Sequence, residues 1–251
     1  MKTLDHFVIT FDIDWAPDFV IDSVASMLRL RGIRATWFVT HQCSALDRLR
    51  KEEGLFELGL HPNFLAGSTQ GDTPEKVLAH LQSIVPEAIS LRTHALVQSG
   101  PLLQMVMRAG LKVDVSLFLP SMSNIQPLEF RIDGRTLLRI PYFWSDDYEM
   151  EKAMPCWHLL PLLKVKGLKV MNFHPLLVFL NGSDIKPYQA IKQKVPILDA
   201  LTAKTAEDFF QPGDGTQTFF HELIDHVTTV GESLRIQDIF DIWTSRGGIE
   251  L

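Results

Sequence analysis

Short apolar runs alternate with longer amphipathic stretches along most of the chain. The runs Phe7–Ile13, Ala35–Thr40, Phe56–His61, Ile89–His94, Lys112–Phe118, Leu137–Phe143 and Leu168–His174 have the length and composition of buried strands. Between them, Pro17–Arg31 places Val20, Val24, Met27 and Leu28 on one helical face. Thr73-Pro74-Glu75 opens a second helix with a cap and a proline in its first turn, and Gly100–Gly110 forms a third, closed by glycine. This alternation predicts an α/β fold in which parallel strands are wrapped by helices. Asp133-Gly134, between LEFRI and RTLLRI, predicts a two-residue hairpin that interrupts it. Beyond Pro187 the pattern is helical, broken by QPGDGTQ (211–217), which reads as a mobile loop, and it closes on an amphipathic helix, RIQDIFDIWTSRGG, stopped by glycines. With no repeat, low-complexity tract or linker, one domain spanning 1–251 is expected.

Composition narrows the partners. The 251 residues are 46% hydrophobic and 22% charged, with a net charge of -6, an ordinary globular mixture with apolar surface for a real core. No lysine or arginine stripe appears, which argues against a nucleic-acid partner. No apolar run reaches the ~18 residues needed to cross a bilayer; Lys164, Lys166 and Lys169 break the greasy stretch from Leu159 to Leu180. The start, MKTLDHFVITFDID, has the character of neither a signal nor a transit peptide. Cys43 and Cys156 lie far apart and form no CxxC, so reduced thiols and a cytoplasmic location are expected.

The polar residues matter by where they fall. FDIDW (11–15) ends an apolar run in two acids, and alternation along a strand would put Asp12 and Asp14 on one face. Two buried carboxylates are unfavourable unless something neutralises them. One reading is a helix cap plus a surface acid, with Asp14 or Asp18 capping the helix near Pro17. The other is a metal ligand beside a general base, since a cation stabilises both acids at once.

Further strand ends carry the same kind of residue. FELGLH ends at His61, SLRTH places Arg92 and His94 on one face, KVDVS does so for Asp114 and Ser116, and KVMNFHP for Asn172 and His174. One such histidine alone is more often a packed core residue than a ligand. Five strand ends together favour the metal reading, because the carboxyl ends of barrel strands gather on one rim. His41, His80, His158, His221 and His226 fall in predicted helices or their caps and read as surface or packing residues, with His6 a minor candidate for lining the site. Trp15, Tyr142 and Trp144 read as core or rim aromatics. GxGxxG, Walker and GxSxG patterns are absent, which argues against nucleotide-dependent and covalent serine chemistry. Metal-activated hydrolysis remains.

Taken in order, TFDID, ELGLHPN, LRTH, DVS and NFHP resemble the motifs of the polysaccharide deacetylase family (NodB-like, carbohydrate esterase family four), in particular members from bacterial O-antigen clusters. The resemblance runs from about Phe7 to Leu180. It implies a distorted (β/α)7 barrel and a divalent metal, zinc by expectation, that activates water against an N-acetyl or O-acetyl carbonyl of a sugar. By resemblance, Asp12 would be the general base, Asp14 and His61 metal ligands, and Arg92 the residue that orients the base. Asp114 falls in the fourth motif as a further catalytic candidate, and His174 matches the general acid.

The chain departs from the family pattern at two points. Ile13 separates the two aspartates, with Trp15 where a glycine is usual, and Leu65 stands in place of a second histidine. His94 is the preferred replacement ligand and Asn63 the runner-up, since an amide oxygen is a poorer zinc donor. The implied partner is an acetylated sugar or polysaccharide precursor. The alternatives are a non-catalytic carbohydrate-binding relative with a degenerate metal site, and an amidase of the same fold acting on a small C–N substrate.

Overall fold

The computed structural model describes residues 3–195 and 198–245. Its strands are β1 (Phe7–Asp12), β2 (Ala35–Val39), β3 (Phe56–Leu60), β4 (Ser90–Leu91), β5 (Val113–Asp114), β6 (Leu128–Ile132), β7 (Arg135–Arg139), β8 (Trp144–Ser145) and β9 (Lys169–Phe173). They form one nine-stranded sheet in the order β6-β7-β5-β4-β3-β2-β1-β9-β8. Every pairing is parallel except the β6–β7 hairpin. That hairpin turns at Asp133 and Gly134, whose φ angles of 50° and 69° are the left-handed pair such a turn requires.

The helices are α1 (Asp18–Arg29), α2 (Ser44–Arg50), α3 (Pro74–Ile84), α4 (Gly100–Arg108), α5 (Asp146–Met150), α6 (Pro175–Leu180), α7 (Ile185–Lys194), α8 (Ala203–Glu207), α9 (Thr216–Val230) and α10 (Ile236–Ser245). None of the described helices is long and apolar enough to cross a membrane.

The sheet order implies closure. β7 and β8 lie toward opposite ends of the sheet, yet only the segment Ile140–Phe143 joins them. The sheet must therefore curl until its ends approach. The joining segment stitches the seam: the Ile140 N–H donates to Asp114 O (2.9 Å), Tyr142 to Leu117 O (2.9 Å) and Phe143 to Val170 O (2.8 Å). The result is a distorted α/β barrel, as the resemblance implies.

Two strand expectations change. Leu137–Phe143 is not one strand, because Pro141 has no N–H to donate and the chain crosses the seam there. Ile89–His94 and Lys112–Phe118 reduce to two-residue strands, so His94, which opens a short 3-10 turn, and Ser116 and Phe118 lie beyond them. Pairing past Leu91 survives only as single backbone bonds, Arg92 N–H to Leu60 O and His94 N–H to Pro62 O.

The loop at 211–217 is pinned rather than loose. Asn181 Nδ2 donates to Gln211 O and Gly213 O, both at 2.8 Å, and Gln211 Oε1 accepts the N–H groups of Ser183 and Asp184.

Inside the barrel, Phe38 packs against Gly59 so closely that a Cβ there would lie 2.7 Å from the ring. Only glycine fits. The floor is closed by α10, whose Ile236 and Ile239 are fully buried in an apolar cluster with Val8, Val115 and Val170. Its first N–H groups donate to Thr36 Oγ1 (2.9 Å) and Glu57 Oε2 (2.8 Å), an acid placed at the positive end of the helix. The glycines expected to stop this helix lie outside the described residues.

Candidate active site

Asp12 closes β1 and is nearly fully buried. Its Oδ1 accepts from Arg92 Nη1 (3.0 Å) and its Oδ2 from Asn172 Nδ2 (2.9 Å). Arg92, just past β4, also donates to Asn172 Oδ1 (2.5 Å), Thr10 Oγ1 (2.8 Å) and Val115 O (3.3 Å). Its guanidinium lies between two rings, 4.6 Å from the Phe38 centroid and 4.7 Å from that of Tyr142. Phe118 stacks on the far side of Tyr142 at 4.5 Å. The base candidate is thus fixed by an arginine that is itself clamped face to face.

Asp14 reaches the cleft by a route that strand alternation does not describe. β1 ends at Asp12, and Asp14 and Trp15 adopt left-handed φ angles of 39° and 57°. The same device recurs after His94, where Ala95 and Leu96 have φ of 51° and 56°. Left-handed backbone costs roughly 1–2 kcal/mol per non-glycine residue and is found where function constrains the chain. Here it occurs at Asp14 itself and directly after His94, the two sides of one donor set.

Asp14 Oδ1 lies 3.3 Å from His61 Nε2 and 3.4 Å from His94 Nδ1, and the two histidine nitrogens are 3.3 Å apart. His61 Nδ1 sits 2.7 Å from the Arg92 carbonyl, which can only accept. That nitrogen can donate to the carbonyl, which leaves Nε2 as the atom that His61 turns toward Asp14 and would offer to a bound cation. Asp14 Oδ1 is buried with no directed hydrogen bond. Three donor atoms within 4.8 Å of one another, one of them an orphaned oxygen, have the constitution of a cation site. Burial alone would raise the Asp14 carboxyl, but His61, His94 and the charge of His174 hold it well below the usual carboxylate range. Burial likewise opposes the charge on His94, and Asp14 outweighs it, so His94 titrates above its ordinary value.

His174 stands at the N-terminus of α6. Its Nδ1 is 2.6 Å from Asp146 Oδ1, and its backbone N–H donates to Asp146 Oδ2 (2.8 Å). The opposite nitrogen, Nε2, lies 3.7 Å from Asp14 Oδ2. Burial disfavours the imidazolium, but Asp146 and Asp147 reverse that and hold it well above the ordinary histidine range. Sequence reasoning missed Asp146. Its signal was present in WSDD, an acid at the end of an apolar run, the same pattern that singles out Asp12.

Other expected residues go elsewhere. Asp114 is fully buried, with Oδ2 on Arg139 Nε (2.7 Å) and Oδ1 accepting the Ser116 N–H (3.1 Å), and it does not line the cleft. It braces β5 instead. Asn63 lines the cleft beyond Asp14 and His94, and its Oδ1 accepts the Leu65 N–H at 3.0 Å. His6 pairs with Glu232 (3.1 Å) at the opposite end of β1. Trp15 meets the His94 ring edge-on at 5.6 Å, while Trp144 stacks on Phe219 in the core.

The family profile of the WbmS-like polysaccharide deacetylases matches residues 9–192. The chain belongs to that family. Among solved structures, the chain is similar to a Bordetella bronchiseptica protein described as a polysaccharide deacetylase involved in O-antigen biosynthesis. The TM-score is 0.75 at 27% identity, covering 89% of this chain and 91% of that one. A polysaccharide deacetylase from Mycobacterium smegmatis shares the fold, with TM-score 0.53, 16% identity and coverage of 92% and 93%. So does part of a Thermococcus litoralis 4-alpha-glucanotransferase, with TM-score 0.55, 11% identity and coverage of 95% and 38%. No curated protein matches the chain. Every cleft residue described above lies within the segment matched to the WbmS-like deacetylases.

Proposed function

We propose that this protein is a metal-dependent hydrolase that removes an N-acetyl (or O-acetyl) group from a sugar of a surface-polysaccharide or O-antigen precursor in the cytoplasm. The observation that carries this reading is the facing arrangement of the cleft. A buried acid fixed by Arg92 and Asn172 stands on one side, a histidine fixed by Asp146 on the other, and the Asp14–His61–His94 donors between them. Those donors, two nitrogens and one oxygen, suit zinc. A bound ion would polarise the acetyl carbonyl and acidify water.

The chain's own residues supply the proton transfers. Asp12 takes a proton from the attacking water at its carboxylate, and Arg92 and Asn172 hold that carboxylate in register. His174 gives the Nε2 proton to the leaving nitrogen, or to oxygen for an ester. Asp146 holds Nδ1–H and favours the cationic ring that can donate. A base and an acid positioned in this way each contribute ~10²–10⁴-fold to rate. The O-antigen role given for the Bordetella bronchiseptica neighbour supports a glycan precursor as substrate. His94 supplies the third donor that a binding-only relative would lack.

Metal analysis of the purified protein, with acetate release from a panel of acetylated sugars, tests the reading. About one divalent ion per chain is expected, with release that stops under chelation and returns with zinc. His94→Ala is expected to weaken zinc binding by more than the ~100-fold of an indirect effect, and Asn63→Ala to leave it unchanged. Zinc loss in the Asn63 variant alone would move the third ligand to the asparagine. Undiminished acetate release by metal-free protein would overturn the metal mechanism.

A further inference from the structure

The cleft continues past the donor set. The lobe holding Asp12 and His174 has a volume of about 420 Å³, and a second lobe of about 620 Å³ opens beyond Asp14 and His94. The lobes share Asp14, His94, Tyr188 and Lys192 as walls, so they form one groove. Trp15, Gln42, Asn63 and Thr69 line the far lobe. An aromatic face with amides and a hydroxyl suits a sugar ring, which is apolar on its faces and polar at its rim.

The two lobes differ in charge. The first carries four acids, Asp12, Asp14, Asp147 and Glu151, together with Arg92, which is paired with Asp12, the cationic His174, and Lys192. In the far lobe Asp14 is the only acid, and Lys192 the only lysine or arginine, among the described lining residues. Ile185, Tyr188 and Lys192 recur on α7 at helical spacing and face the groove together. Lys192 Nζ lies 4.3 Å from the Tyr188 ring centroid and has no carboxylate partner among the described residues, whereas Lys194 reaches Asp208 at 3.8 Å. An exposed lysine is ordinarily only solvated. This one is held over a ring, on the wall common to both lobes, with its hydrogen-bond donors open.

Resting on the deacetylase reading, we propose that the substrate is an acidic glycan precursor. The acetylated sugar occupies the first lobe, and its neighbour in the far lobe bears a carboxylate or phosphate that Lys192 receives. In the far lobe no acid but Asp14, which belongs to the donor set, opposes that anion, and the Lys192 ammonium attracts it, so charge helps to set the register of the chain in the groove.

Three probes test this on the zinc-loaded full chain. Hyaluronan tetrasaccharide places a carboxylate beside the acetylated sugar, UDP-N-acetylglucosamine a pyrophosphate, and chitotetraose a neutral sugar. Dissociation constants are measured by calorimetry alongside acetate release. At least one anionic probe is expected to bind more tightly than chitotetraose. Lys192→Gln should weaken that probe roughly tenfold, the scale of a hydrogen bond to a charged group, in Kd and KM with kcat retained. It should leave chitotetraose unchanged, and Lys192→Arg should restore the difference. Which anionic probe responds separates carboxylate from phosphate. Equal affinity for all three probes, an equal loss on all three in Lys192→Gln, or no binding of either anionic probe overturns the proposal. Charge-selective binding without acetate release from any probe would uphold Lys192 and sink the deacetylase reading instead.

Discussion

At the end of the barrel where the strands begin, polar groups are satisfied. Lys169 Nζ donates to Asp5 Oδ1 (2.7 Å), Val165 O (3.0 Å) and Gly167 O (2.7 Å). Glu57 accepts from Thr36 Oγ1 (2.8 Å), Ser90 Oγ (2.8 Å) and the Gln237 N–H (2.8 Å). At the end where the strands finish, Asp14 Oδ1 is buried without a directed bond, and two histidine nitrogens face it at 3.3 and 3.4 Å. Both ends are rich in acids and cations, so polar density does not distinguish them. Unfinished hydrogen bonding does, because a buried polar atom without a partner persists only where something else compensates it.

The largest test of this contrast separates the two acids of FDIDW. In Asp12→Asn, acetate release is expected to fall by ~10²–10⁴-fold with zinc content unchanged, because an amide cannot take a proton at neutral pH. In Asp14→Ala, zinc and activity are expected to vanish together. Full zinc retention by the Asp14 variant would remove that residue from the donor set.

A smaller effect, about 10²-fold in kcat, is expected for Asp146→Asn, and its signature is a pH shift. Asp146 and Asp147 outweigh burial and hold His174 cationic above the ordinary histidine range. The cation is the donor, so activity is lost as pH rises through that elevated value. Removing the Asp146 charge lowers it, and the alkaline limb of the kcat profile should move to lower pH. An unmoved limb would assign it to another group.

How far the sequence disclosed all this depended on what held each residue. Asp12, His61, Arg92 and His174 were legible because each closes or follows a short apolar run, and strand ends meet on one rim. Strand alternation points to Asp14 and His94, but both lie beyond the ends of their strands. Their left-handed turns carry no glycine or asparagine to announce them, and the first is tied to a distant strand end by the Trp15 N–H on Thr40 Oγ1 (3.0 Å). Asp146 escapes the pattern because it follows β8, a strand of only two residues that begins just past the run expected to end at Phe143. The composition of 211–217 suggested looseness, yet Asn181 ties it down from across the fold. Local pattern reveals strands and turns of local origin; it is silent about bonds made at long range.

A still smaller activity change is expected at Tyr142, which stacks on Arg92 at the seam. Cation–π contact is worth about 0.5–2 kcal/mol, so Tyr142→Leu should lower kcat roughly tenfold as Arg92 loosens from Asp12. Tyr142→Phe keeps the ring and should stay near wild type. Equal losses in both would mean that the hydroxyl, and not the stack, matters.

The smallest effect on catalysis, none per folded molecule, is expected at the floor. Glu57→Ala leaves three donors without their acceptor, and each buried orphan costs about 1–3 kcal/mol, so the melting temperature should drop while kcat holds. The loss should depend on pH in a stated direction. Burial raises the Glu57 carboxyl against the donors that lower it, so the folded protein holds this proton more tightly than the unfolded chain. The contribution of Glu57 to stability is therefore fully present below the unfolded value of ~4.3 and declines as pH rises through the folded one. Thermal melts of wild type and variant across that range should lie farthest apart in acid and converge toward neutrality. A kcat that fell along with the melting temperature would mean that floor and rim are energetically coupled, and the division between a finished end and a reactive one would not hold.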